Sequence, residues 1–360
     1  MANEGIPVEL YEMNTTGNLA GLVCSAKFGV LENSEPEGFL KDELLKNGSF
    51  VAKAALECGQ PDKGALLIDK NLFYKKINAL VQEQSLIKVA RAEAVDIEPP
   101  SIIATGPLTS KALSLKLADF LGSGNLFLFN AIEPVIKASS INFEKTFQSE
   151  NFTECPINES EFERLYDILI NGRRIALKPF EETSRFFESC PPVEKAATLG
   201  KGSFIDMRLQ PERGSYATAR LRQNALCPQM FHLAGFQSNL RWGTQEKLIR
   251  SIPGLENAKI LIYGMTHKNT FINSPAILSE NLESRNIPGL FFAGQLSGTE
   301  GYIEAVATGL LAGKNAACFV KGKPYQTEGL DMTGAIARYI SYPGHKSFQP
   351  IKAIWELMDK

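Results

Sequence analysis

Three glycines, Gly294, Gly298 and Gly301, fall within the run Phe291-Phe292-Ala293-Gly294-Gln295-Leu296-Ser297-Gly298-Thr299-Glu300-Gly301-Tyr302-Ile303-Glu304, just ahead of a long Ala-rich stretch. An apolar strand, a glycine turn and a helix in that order present unpaired backbone N–H groups and the positive end of a helix dipole to one spot. Such a spot suits a phosphate or a negatively charged ring. The plainer reading is a strand-to-helix turn, with Gly309 and Gly313 easing helix packing. Glu12 ends a second run of strand formers, Pro7-Val8-Glu9-Leu10-Tyr11, ahead of the turn-prone Asn14-Thr15-Thr16-Gly17. In a dinucleotide-binding βαβ unit the second strand ends in such a carboxylate, which accepts hydrogen bonds from ribose hydroxyls. Standing alone, an exposed acid at a strand end explains Glu12 equally well. Ile102-Ile103-Ala104-Thr105-Gly106 ends in glycine, the residue needed where a backbone approaches a ligand with no side chain between. A bare Gly-Pro turn is the even alternative.

These positions need a sheet to hold them. Leu66-Leu67-Ile68, Ile87-Lys88-Val89-Ala90, Ile102 to Thr105 and Leu290 to Ala293 read as short apolar strands, alternating with helical stretches such as Leu72 to Glu83. That alternation predicts an α/β lobe with a largely parallel sheet. Asn151 to Leu169 is polar and acidic with helical spacing, and Tyr216 to Gly264 holds extended segments separated by Gly and Pro, so a second, mixed lobe is expected. The chain returns to the first sheet through Leu290 to Gln295 and a helix over Gly301 to Val320. At 360 residues, two lobes are expected. No run of roughly 18 uninterrupted apolar residues or signal peptide is apparent, which predicts a cytoplasmic protein with no membrane partner.

The six cysteines, Cys24, Cys58, Cys155, Cys190, Cys227 and Cys318, form no Cys-x-x-Cys pair, and the three histidines lack i,i+4 spacing. Neither a metal site nor a disulfide framework is predicted. For Cys58 and Cys318 a buried small hydrophobe is the expectation, and Cys155 and Cys227 read as structural. Cys190 differs, because the prolines beside it read as a loop where a thiol can be exposed. The formal charge of −2 gives no global pull on a polyanion. Any nucleic-acid contact must come from a local basic surface. Arg173-Arg174 with Lys178, and Arg220, Arg222, Arg241 and Lys247, are the candidates; a salt-bridged surface is the alternative for each.

The segment Gly294-Gln295-Leu296-Ser297-Gly298-Thr299-Glu300-Gly301-Tyr302-Ile303-Glu304 resembles the C-terminal flavin motif of the TrmFO family. Further blocks agree in order: Val8 to Met13, Leu22 to Ser25, Ile102 to Ser110, Phe187 to Pro192, Leu221 to Gln223, Gly235 to Gln237, Trp242-Gly243, His267 to Pro275 and Phe348 to Pro350. The resemblance implies a glutathione-reductase-like α/β fold, with a Rossmann-type FAD-binding domain over 1–120 and 285–360 and an inserted mixed α/β substrate domain over 121–284. It implies FAD held by Glu12, Gly106, Gly294, Gly298, Gly301 and Tyr302, with methylenetetrahydrofolate as one-carbon donor and NAD(P)H as reductant. The reaction it implies is C5-methylation of a uridine in RNA, the T-loop uridine of tRNA or, in some relatives, ribosomal RNA. Uracil C5 becomes nucleophilic once a thiolate has added at C6. By resemblance Cys190 is that thiolate and Cys24 assists proton removal or guards the flavin, with exchange of the two roles open. Arg173, Arg174, Arg220 and Arg222 would contact RNA, and His267 and Asn273 would line the cleft.

The chain also departs from the family pattern. The G-x-G-x-x-G loop, whose amides hold the FAD pyrophosphate, would fall before Met1. FAD affinity is therefore expected to drop, and a misplaced start codon or truncated gene is the expected cause. The stretches around the first cysteine are shortened, and Phe204 to Pro211 replaces a family block of the inserted lobe. A paralogue that binds RNA without methylating it, and a flavoprotein oxidoreductase acting on another substrate, are the two competing expectations.

Overall fold

Short β-branched and apolar runs form strands only where a neighbour completes their ladder, and the pairing in the computed structural model decides the architecture. The structure describes residues 1–14, 18–22, 27–62, 64–150, 152–175, 192–224, 227–345 and 348–358. The chain divides into two compact units. The first comprises Met1–Phe127, Asn269–Pro343 and Pro350–Lys360; the second comprises Leu128–Lys268 and Gly344–Gln349. The crossings fall at 127/128 and 268/269, rather than near 120/121 and 284/285 as expected. Backbone pairing explains the second shift: Leu278 bridges Ser284 and Glu283 bridges Phe291, which ties that stretch to the first unit.

In the first unit, Val8–Tyr11 runs parallel to Ile87–Ala90, and Ser101–Ile103 runs parallel to Leu290–Phe292. Each pair is a separate two-stranded sheet. Val8–Tyr11 and Ser101–Ile103 therefore each keep one ladder edge without a strand partner among the described residues. The expectation of a largely parallel sheet needs correction for Ala65–Ile68, which pairs antiparallel with both Lys27–Val30 and Gly59–Asp62.

Helix Lys70–Gln82 starts at Asp69, whose carboxylate accepts from the amides of Asn71 and Leu72 at 2.9 and 3.0 Å. Helix Asp331–Ser341 has no capping side chain of its own. Buried Glu43, on helix Pro36–Lys46, supplies the cap, accepting from the amides of Met332 and Thr333 at 2.7 and 3.0 Å. Helix Tyr302–Val320 buries Ile303, Ala307, Leu311 and Asn315 along one stripe. Its length and hydropathy would suffice to cross a bilayer, yet 56% of its apolar window is buried inside the protein. It is a core helix.

The second unit is a six-stranded antiparallel sheet in the order Ile260–Ile262, Val135–Lys137, Met230–Leu233, Ala217–Gln223, Thr153–Ile157 and Phe147–Gln148. Helices Glu159–Asn171, Val193–Ala197, Lys201–Arg208 and Trp242–Arg250 complete it. Phe162, Leu165 and Leu169, at helical spacing, meet Ala219, Leu221 and Leu233 in its core. The helical reading of Asn151 to Leu169 holds only from Glu159, where Asn158 and Glu161 form a capping box. The residues before it are the strand Thr153–Ile157.

Candidate functional site

Leu290–Phe292 and Ser101–Ile103 are parallel, and the amide of Ala293 donates to the Ile103 carbonyl at 3.0 Å. The segments after them, which carry Gly294 and Gly106, consequently leave the same carboxyl-terminal edge of the pair. That edge is where open α/β sheets place ligands. Gly106 has φ +71°, and a Cβ added there would meet nothing within 4 Å, so its backbone faces open space. Thr105 and Thr109 share a hydroxyl hydrogen bond of 2.7 Å, and Thr109 also donates to the Gly106 carbonyl at 2.9 Å, which fixes this turn.

The turn over 294–301 is held from inside. The Gly294 amide donates to Thr308 Oγ1 at 2.9 Å, and Ser274 Oγ donates to the Ser297 carbonyl at 2.7 Å. Ile351 strings the far side together: its amide donates to the Gly298 carbonyl at 3.1 Å, and its carbonyl accepts from Glu300 at 2.8 Å. Gly298 also spends its own amide on the Gln295 carbonyl, at 3.0 Å. Buried, with φ +89°, Gly298 shapes the turn, and its amide is spent within the protein as the Gly294 amide is. Gly294, Gly301 and Tyr302 remain half-buried, at the mouth. The helix Tyr302–Val320 follows Gly301, which has no side chain to cap it, and the Glu304 carboxyl lies against that first turn.

Glu304, in the first turn of that helix, is 1% exposed. Its Oε1 accepts from the Ala353 amide at 2.9 Å. Burial, reinforced by the negative charge of Glu37 and opposed by that hydrogen bond, pushes its carboxyl up to about 8. Glu37 Oε2 is itself buried, with no hydrogen-bond partner among the described residues. The only sequence signal for Glu304 was an acid in a first helical turn. Gly301 has φ +118°, and a Cβ there would lie 2.3 Å from Glu304 Oε2. Gly301→Ala is accordingly expected to cost about 2–4 kcal/mol, combining a left-handed backbone with a forced contact. Urea denaturation measures it, and a midpoint equal to the parent's would refute the packing described for Glu304.

These residues suit part of a flavin nucleotide. An open glycine backbone at 106 and half-exposed Gly294 leave one sheet edge, and the start of the Tyr302–Val320 helix follows Gly294 within eight residues. Glu12 ends the other parallel pair: its amide donates to the Ala90 carbonyl at 3.0 Å and its Oε1 accepts from Asn14 at 2.8 Å. The described residues hold no group of three or more His, Cys, Asp or Glu that could bind a metal.

Cys24, Cys190 and Lys178 lie outside the described residues. Cys155, Cys227 and Cys318 are buried and in no disulfide, Cys155 pushed up to about 12 by burial, while Cys58 is only half-buried. Asn273 donates to Asn125 through both its amide and its side chain, at 2.8 and 3.1 Å. Two of the candidate arginines are ion-paired within the second unit. Arg220 is paired with Glu154 at 3.3 Å and Glu212 at 3.2 Å, and Arg222 with Glu133 at 2.7 Å. Their side chains are 19% and 20% exposed, so both are spent on the fold of the second unit rather than free for phosphates. Arg173, Arg174 and Arg241 are exposed and share one hollow.

Residues 1–324 match the family model described as GIDA, Glucose inhibited division protein A. The chain is 37% identical to a Bacillus licheniformis protein and 38% identical to one from Anoxybacillus flavithermus, each covering 98% of this chain and 87% of the relative. Both relatives are named Methylenetetrahydrofolate--tRNA-(uracil-5-)-methyltransferase TrmFO. Among solved structures, Aquifex aeolicus GidA aligns with a TM-score of 0.52 and 16% identity, over 99% of this chain and 67% of the other. A second crystal form gives 0.50 and 18%. At that identity the likeness is one of fold.

Proposed function

Because the chain belongs to the TrmFO family, we propose that it methylates C5 of a uridine in tRNA, the T-loop uridine, with methylenetetrahydrofolate as one-carbon donor. The observation that carries this reading is identity of 37% or more to TrmFO enzymes, sustained over 98% of the chain. A protein doing this work would reside in the cytoplasm. Its fold class is the FAD-binding, glutathione-reductase-like one of that family, with the second unit inserted into the first.

When bound, FAD supplies the carrier for the carbon unit and the reducing centre, fed by NAD(P)H. Gly106, Gly294, Gly301 and Tyr302 would hold it, with Glu12 suited to the ribose. Burying Glu304 uncharged spares the mouth of the turn a second negative charge. Cys190 adds as thiolate to uracil C6, a C6–S bond forms and electron density moves to C5. After the carbon unit is transferred, Cys24 takes the C5 proton, the C6–S bond breaks and the pyrimidine ring is restored; the two cysteines can exchange roles. The target base must leave its stack for thiol and carbon donor to approach it.

The test is transfer of labelled carbon from methylenetetrahydrofolate to an unmodified tRNA transcript by the purified chain, with FAD and NADPH present. Label in 5-methyluridine supports the reading. FAD binding and transcript binding without label would instead favour a paralogue that no longer methylates.

A further inference from the structure

The second unit brings three exposed arginines next to an exposed tryptophan. Arg173 and Arg174 run antiparallel to Leu240 and Arg241: the Arg241 amide donates to the Arg173 carbonyl at 2.8 Å, and the Ile175 amide to the Asn239 carbonyl at 2.7 Å. Gly172 permits this approach, since a Cβ there would lie 2.5 Å from the Ile168 carbonyl oxygen and 2.7 Å from Thr244 Cγ2. Three exposed arginines therefore line a single hollow, and none of them has an ion pair among the described residues. Concentrating positive charge in this way runs against a chain whose formal charge is −2.

Next to Arg241 stands Trp242, 53% exposed, its ring stacked on Tyr263 with centroids 5.3 Å apart and planes 12° apart. What distinguishes it from other exposed apolar side chains is its place beside the arginines and its stacking on Tyr263. It is also held rigid. Buried Gln245 donates to the carbonyls of Leu240 and Gly264, at 2.8 and 2.9 Å, and accepts from the Gly264 amide at 2.8 Å. One side chain thus ties the start of the Trp242 helix to the residue following Tyr263. Glu194 fixes the approach to Arg241, accepting from Ser238 Oγ at 2.9 Å and from the Asn239 amide at 2.8 Å.

An exposed, pre-stacked indole beside guanidinium groups that have no ion pair among the described residues matches what an unpaired stretch of RNA offers, a π-face for stacking and phosphates for charge. Resting on the tRNA reading above, we infer that Trp242, backed by Tyr263, stacks on an unpaired tRNA base while Arg173, Arg174 and Arg241 hold the flanking phosphates. Phosphate recognition alone would need the arginines but not the indole, and this difference defines the experiment.

Binding of a fluorescent, unmodified tRNA transcript to the full-length chain is measured by anisotropy between roughly 50 and 200 mM salt. The variant Arg173→Gln/Arg174→Gln/Arg241→Gln is expected to weaken binding at least about tenfold and to lower the salt slope by about two. Trp242→Ala is expected to weaken binding about tenfold with the slope unchanged, and Trp242→Phe to recover most of the loss. Thermal midpoints equal to the parent's exclude misfolding as the cause. If the parent binds the transcript and all variants bind as tightly, the surface assignment is wrong while the methyltransferase reading stands. Loss in the arginine variant alone overturns the stacking contact, and a parent that binds no tRNA refutes the functional reading first.

Discussion

Cys190→Ala is expected to abolish methyl transfer, a loss of at least about a thousandfold, while FAD and tRNA binding stay near parental levels. The sulfur is the atom that makes C5 reactive, so no neighbouring group can replace it by better positioning. Cys24→Ala should be less severe if that thiol only removes the C5 proton, because water can partly take over. A transcript carrying 5-fluorouridine at the target gives an independent readout, since the fluorine prevents proton loss from C5 and the C6–S bond persists. Peptide mapping of the trapped adduct then identifies the nucleophile. An adduct on Cys24, or retained transfer in Cys190→Ala, exchanges the roles or removes Cys190 from the reaction.

The stability of the first unit should fall as the pH rises, and Glu304 is the reason. Burial raises its carboxyl from an ordinary 4.5 to about 8, so the folded chain binds a proton that the unfolded chain has already released. Stability from this group is complete below about 4.5 and is lost as the pH climbs to about 8, with a limiting slope of roughly 1.4 kcal/mol per pH unit. Glu304→Gln keeps an acceptor for the Ala353 amide without a titrating proton, and its melting temperature should be flat where the parent's declines. Parallel curves for the two would contradict the assignment. His232 acts with the opposite sign in the second unit. Burial first, then the Arg222 charge, lowers it from 6.5 to about 4, so its contribution is present above 6.5 and lost as the pH falls towards 4.

The strands at the site were legible because Val8–Tyr11, Ile87–Ala90, Ser101–Ile103 and Leu290–Phe292 are short runs rich in strand formers, three of them followed closely by Gly or Glu. Tyr302–Val320 was legible from its length and alanine content. Thr153–Ile157 was not, because its inward residues Thr153, Cys155 and Ile157 merge with the apolar spacing of the helix that follows. The helix Trp242–Arg250 was also hidden, being nine residues long and entered from Arg241 without a side-chain cap. Nor could sequence separate Arg220 and Arg222 from Arg241. What sets them apart is the presence of Glu133, Glu154 and Glu212 on other segments, a matter of tertiary pairing. Gly301 shows a related limit: glycine at that position was legible, but its reason, the Glu304 carboxyl beneath it, was not.

The insertion of the second unit between the halves of the first sets an order of events during synthesis. Ser101–Ile103 cannot find Leu290–Phe292, nor Glu43 cap the helix at Met332, until nearly the whole polypeptide has left the ribosome. The second unit, whose six strands all lie between those partners, can close first. Ser101–Ile103 must therefore wait with a bare edge until Leu290–Phe292 emerges, while Val8–Tyr11 and Ile87–Ala90 can pair early.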